Sequence, residues 1–226
     1  SLISLAFLGF VMFVNFGNHS RISLLGPWAV MFGPAIILVS LFTLSYNVLG
    51  LERQSLTTLF LFPVPPWQIL LAKNLLVMLL GLVEILFIAL AGAILTKAWA
   101  FILPGIVVGL AGMAIIIGIG NFTSVFMPQQ MRFRTRGFNT MSNMSTGAGC
   151  LRGLLSALSL YGTLFVMIPV GLALGIPYAT GSLWIWSITI PVSLLYGAAI
   201  YAGITFLAAP RILSKAPEIL NAIVKE

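Results

Sequence analysis

Apolar residues in this chain come in long runs separated by short polar stretches, and that pattern sets the fold class. Six runs stand out, at 2–16, 25–49, 69–95, 101–127, 154–176 and 183–208. A helix that crosses a bilayer needs about 20 mostly apolar residues, and the last five runs meet that length. The first is short and opens at Ser1 rather than at methionine, so the sequence reads as one that starts inside its first helix. Neither a basic n-region nor a small-residue cleavage site marks a secretory signal. The expected fold is all-α: one polytopic membrane bundle of six transmembrane helices over residues 1–226.

The longest patterned interruption runs from Gly50 to Asn74. Leu56, Leu59 and Phe60 fall at i, i+3 and i+4 and make one apolar stripe on a helix. Arg53, Gln54, Thr57 and Thr58 lie largely away from that stripe, and Pro63 ends the run. The spacing predicts a short amphipathic helix at the membrane surface, followed by a Pro63-Val-Pro-Pro66 turn. An element of this kind can be pushed from the water side by a soluble partner.

Charge orients the bundle. If the first helix runs outward, Arg53 and Lys73 fall in the first inner loop, with Arg132, Arg134, Arg136 and Arg152 in the second. Arg211, Lys215 and Lys225 then lie in the inner tail, leaving only Arg21 and Lys97 outside. Basic residues collect on the cytoplasmic side of membrane proteins, so both termini are expected there, with 51–68 and 128–153 as cytoplasmic loops. Trp28, Trp67, Trp99 and Trp184 lie near span ends, where indole sits at headgroup level. Gly105-xxx-Gly109 and Gly171-xxx-Gly175 suit close helix approach. Pro34, Pro169 and Pro191 fall within spans and are candidate kinks. Ser142 to Gly149 reads as a small, flexible linker within the second inner loop.

Composition narrows the function. Hydrophobic residues make up 60% of the 226 and charged residues 7%, with a mean hydropathy of +1.14. A soluble core of this length does not look like this. The single cysteine, Cys150, excludes an intrachain disulfide framework and a cysteine metal cluster. The net charge of +7 follows from the inner-loop arginines and lysines, so the bilayer, and not nucleic acid, is the expected partner. The chain has no aspartate, one histidine (His19) and four glutamates, and no metal-ligand spacing or Gly-x-x-x-x-Gly-Lys-Ser/Thr loop. No catalytic residue, metal or cofactor is therefore expected, and the chain does not read as an enzyme.

Two groups remain as candidate sites. Glu84 lies midway along the third run, where an ionised side chain costs at least about 2.5–3.5 kcal/mol. It reads either as an intramembrane ion or substrate contact or as a protonated or paired group that fixes packing. Arg132, Arg134 and Arg136 alternate with other residues after the fourth run. They suit a headgroup or partner contact at roughly 1 kcal/mol each near an anionic leaflet, but topological anchoring is enough by itself to account for them and is the favoured reading.

The stretch built on Glu52-Arg53, Leu56 to Leu59, Pro63-Val64 and Ala72-Lys73-Asn74 resembles the permeases of ATP-binding-cassette exporters of the type-2 superfamily. Gly120-Asn-Phe-Thr-Ser-Val-Phe-Met-Pro128 looks like the end of their fourth helix. About 25 residues carry the likeness at motif level. The resemblance implies a six-helix permease whose short helix between helices 2 and 3 is a coupling helix docking on an ATPase subunit. Glu52, Arg53, Leu56, Thr57, Leu59, Phe60 and Pro63 would form that surface. It further implies ATP and magnesium on the partner only, a second permease half or a homodimer, a prokaryotic plasma membrane, and outward movement of a hydrophobic or amphipathic substrate. Gln54-Ser55 stands where that family has a glycine, and long outer domains are missing. The alternative is a stand-alone secondary transporter or channel using Glu84.

Overall fold

The computed structural model describes Gly9 and residues 22–46, 64–126 and 147–217. Among the described residues every regular element is helical. A broken helix comes first: α1 (Ile22–Phe32), a 3-10 turn at Gly33–Ile36, then α2 (Ile37–Ser45). The predicted span at 25–49 thus departs from a single straight rod, and the break falls on Gly33-Pro34, where proline removes a helix hydrogen bond. Four further helices are long and apolar enough to cross a membrane. They are α3 (Pro66–Thr96), α4 (Ile102–Phe126), α5 (Gly147–Ala179) and α6 (Trp186–Ala208), followed by a single turn, α7 (Arg211–Ser214).

Local chemistry explains the boundaries. Pro65 caps α3 and Pro66 sits at its first position, where a missing N–H costs nothing, so the expected turn at Pro65-Pro66 is a helix start. α3 stops at Lys97, which adopts the left-handed conformation at φ 58°. α5 ends in a Schellman motif: Gly181 takes φ 72°, Ser182 N donates to Pro177 O at 2.9 Å, and Gly181 N to Tyr178 O at 3.1 Å. α5 also begins earlier than its apolar run, so Gly147–Gly153, expected as loop, is helical. Helices α5 and α6 continue through Pro169 and Pro191.

The order of contacts gives the direction of each helix. Val30 abuts Gly105 and Ser45 abuts Gly120, so the broken helix runs parallel to α4. Ala111 and Gly118 of α4 meet Gly197 and Tyr201 of α6, again in parallel. Gly26 meets Thr96 while Leu41 meets Gly81, so α3 runs antiparallel, and Trp28 and Phe32 against Gly175 and Gly171 make α5 antiparallel as well. Direction therefore alternates along the chain, as repeated crossing of a slab requires.

α4 is the central post, with 61% of its spanning stretch buried against 33% in α3, 22% in α5 and 11% in α6. Its glycines let neighbours approach on several sides. A Cβ at Gly118 would stand 3.1 Å from the Tyr201 Cα, and one at Gly120 would overlap the Ser45 backbone. The outer faces stay apolar: Leu76, Leu79, Val83, Phe87 and Leu90 on α3 are exposed. Helices apolar all round are buried in lipid when they are not buried in protein, and four of this length and composition fit a multi-pass membrane protein.

Aromatic rings close one end of the bundle. Trp28 stacks on Phe32 (centroids 5.6 Å apart) and meets Tyr178 edge-on at 5.1 Å. Phe101 bridges Tyr178 and Trp186 at 5.0 and 5.5 Å, and the Trp186 indole donates to Leu174 O at 3.0 Å. The opposite end is basic: the Arg211 guanidinium and the Lys215 ammonium each lie 5.2 Å from the Phe126 ring centroid.

Candidate functional site

Beneath that basic end, the apolar bundle holds a layer of buried polar side chains drawn from four helices. Asn74 on α3 is fully buried and donates from Nδ2 to the Tyr201 hydroxyl of α6 at 3.0 Å. Asn121 on α4, 1% exposed, donates to the Thr205 hydroxyl of α6 at 2.9 Å. Thr123 on α4 donates to the Tyr46 carbonyl at 2.9 Å. A carbonyl at a helix end has no partner within its own helix, so Thr123 caps the C-terminus of α2 from across the bundle. Ser45 Oγ, Asn74 Oδ1 and Asn121 Oδ1 are buried without a hydrogen-bond partner among the described residues.

Why the layer forms here is legible along α6. Thr189, Ser193, Gly197, Tyr201 and Thr205 recur every four residues, so one stripe of the helix is polar or small. Small residues admit α4 closely, and hydroxyls bond across the seam. Ser193 Oγ and Thr189 Oγ1 carry the same unpartnered character toward the other end. Buried polar groups in a membrane interior are costly and mark pathways or packing locks.

Two grooves open sideways from the bundle. The larger, about 550 Å³, lies between the start of α3 and the end of α6, walled by Trp67, Leu71 and Phe206 with Tyr201 and Thr205 also on its lining. The smaller, about 390 Å³, lies between α1 and α5 and is lined by Trp28, Phe32 and Gly175 among others.

Of the residues expected from sequence, Glu84 lies on α3, half-buried and engaged in a contact of its own. It stands ten residues, roughly 15 Å along the helix, from Asn74, so it is not a member of the polar layer. The proposed docking residues Glu52, Arg53, Leu56, Thr57, Leu59, Phe60 and Pro63 lie outside the described residues, as do Arg132, Arg134 and Arg136. Sequence reasoning passed over the layer itself. Asn74 and Asn121 appeared only inside longer motifs, and the four-residue polar repeat on α6 was the signal that could have found their partners. Among the described residues no cluster of histidine, cysteine, aspartate or glutamate could hold a metal ion.

No protein-family model, curated protein or solved structure matches the chain.

Proposed function

We propose that this chain is the membrane-embedded subunit of a transporter, driven by a separate ATPase that acts on the segment joining α2 to α3. The observation that supports this reading most is the pinning of both ends of that segment to the centre of the bundle. Tyr46, at the end of α2, is bound to Thr123 of α4. Asn74, near the start of α3, is bound to Tyr201 of α6. A force on residues 47–63 would reach α4 and α6 through those bonds and through the contact of Ser45 with Gly120.

The energetics call for such a partner. Moving a two-state bundle from 1:99 to 99:1 takes about 5.5 kcal/mol of differential binding. These 226 residues hold no phosphate-gripping loop, and in this proposal the nucleotide energy enters from another subunit. The amphipathic pattern of Leu56, Leu59 and Phe60, with Glu52 and Arg53 at its start, is the docking surface of this proposal. The basic end of the bundle faces the cytoplasm under the positive-inside rule, on the same side as the ATPase, and an amphipathic substrate moves outward. Reconstituted with its ATPase, the Glu52→Lys and Phe60→Asp variants should lose transport-coupled stimulation of ATP hydrolysis; transport that survives both changes refutes the proposal. A stand-alone secondary transporter using Glu84 is the second reading. The position of Glu84 midway along the membrane-crossing α3 favours it, and ATP-independent uptake abolished by Glu84→Gln would establish it.

A further inference from the structure

Three buried oxygen atoms without hydrogen-bond partners among the described residues stand at one level of the bundle: Ser45 Oγ, Asn74 Oδ1 and Asn121 Oδ1. The helix registers bring them there. Ser45 lies directly against Gly120, the residue before Asn121. On α3, Gly81 faces Met113 and Ile85 faces Gly109, and that antiparallel register, continued along both helices, sets Asn74 opposite Gly120. None of the three residues is more than 2% exposed. Each amide is held from outside the cluster: its Nδ2 donates to a hydroxyl of α6, which leaves Oδ1 on the other side of the carboxamide, away from that bond. An acceptor fixed in this way has lost its water without compensation, and it calls for a donor or a cation.

Two features favour a cation. Tyr46, whose carbonyl lies at the C-terminus of α2, is the neighbour of Ser45, and the negative end of a helix dipole attracts positive charge. Neutral amide and hydroxyl oxygens are also hard ligands, the kind that alkali cations take, and half-helix C-terminal ends serve the same purpose in membrane bundles. No charged side chain is buried among the described residues, so nothing there balances a divalent ion. We infer that Ser45, Asn74 and Asn121 bind one monovalent cation of the sodium type, which ties α2, α3 and α4 together beneath the basic end. Arg211 and Lys215 lie on the ring of Phe126, roughly 7.5 Å beyond Asn121 along α4, and their repulsion keeps the affinity in the millimolar range. The site stands whether or not an ATPase drives the protein.

The test is thermal unfolding of the full chain in dodecyl maltoside, followed by circular dichroism, in sodium chloride or choline chloride at equal concentration. Choline matches the ionic strength and is too large for the cluster. With a Kd of about 25 mM, about 100 mM sodium favours the folded state about fivefold, a rise in Tm of about 2–4 °C over choline. Asn74→Leu and Asn121→Leu should each abolish that rise. Ser193→Ala, roughly 18 Å along α6 from Thr205, should keep it. Asn121→Asp sets a carboxylate at the same atoms and should enlarge the rise, whereas an asparagine that only packs gives a variant weakened equally in both salts. Should the leucine variants not fold, the aspartate variant decides alone, and an unchanged rise in it overturns the inference. So do equal midpoints in the two salts for the unmodified chain, the result if a water molecule bridges the three oxygens. A rise that survives both leucine changes places the ion elsewhere and overturns it too.

Discussion

The contact between α4 and α6 is tight enough that one methyl group should open it. At Gly197 a Cβ would stand 2.9 Å from the Ala111 Cα, 3.1 Å from its carbonyl oxygen and 3.2 Å from its Cβ. Carbon atoms prefer about 3.5–4.0 Å, so Gly197→Ala requires the helices to part by roughly 0.5–1 Å. The neighbours are mostly backbone and cannot rotate away. Over-packing of this kind costs about 1–3 kcal/mol, a factor of about 5–150 in the unfolding equilibrium. Gly203 on the same helix supplies the control, since nothing lies within 4 Å of a Cβ placed there. Gly203→Ala should be neutral or stabilising by up to about 1 kcal/mol through helix propensity. Both variants can be unfolded by SDS titration in mixed micelles, followed by far-ultraviolet circular dichroism. Equal midpoints for the two variants would refute the parallel α4–α6 seam described above.

Other expectations follow from single sites. Lys97→Gly should stabilise the fold by about 1 kcal/mol in the same titration, because glycine adopts the left-handed φ of 58° without the cost an L-residue bears. Asn121→Ala should cost about 0.6 kcal/mol and less than about 1.7, the range for hydrogen bonds between membrane helices, yet it should abolish transport if the polar layer transmits movement; loss of stability alone argues for a packing role. Trp186→Phe removes the bond to Leu174 O and should cost about 1 kcal/mol, read as an earlier SDS midpoint.

Much of the bundle was written in the hydrophobic pattern. The runs at 69–95, 101–127 and 183–208 became α3, α4 and α6 within a few residues, because a membrane helix needs little beyond unbroken apolar length. Boundaries shifted where local chemistry overrode composition. Pro65 and Pro66 read as a turn but serve as a cap and first residue, and Gly147 to Gly149, read as the end of a linker, open a helix. Gly33-Pro34 was legible as a kink and proved to be a 3-10 break. The polar layer was not legible. Asn74 meets Tyr201 across 127 positions and Thr123 meets Tyr46 across 77, and no periodicity in one sequence encodes which spans become neighbours. Glu84 drew notice by charge alone, whereas the groups that converge are neutral amides and hydroxyls.

The central claim is that a soluble ATPase drives this bundle through residues 51–62. Co-purification of the full-length protein in mild detergent, with and without Phe60→Asp, tests it most directly. An ATPase subunit should accompany the unmodified protein and be lost with the variant. An ATPase that is never recovered, or one retained equally by both, would contradict the account.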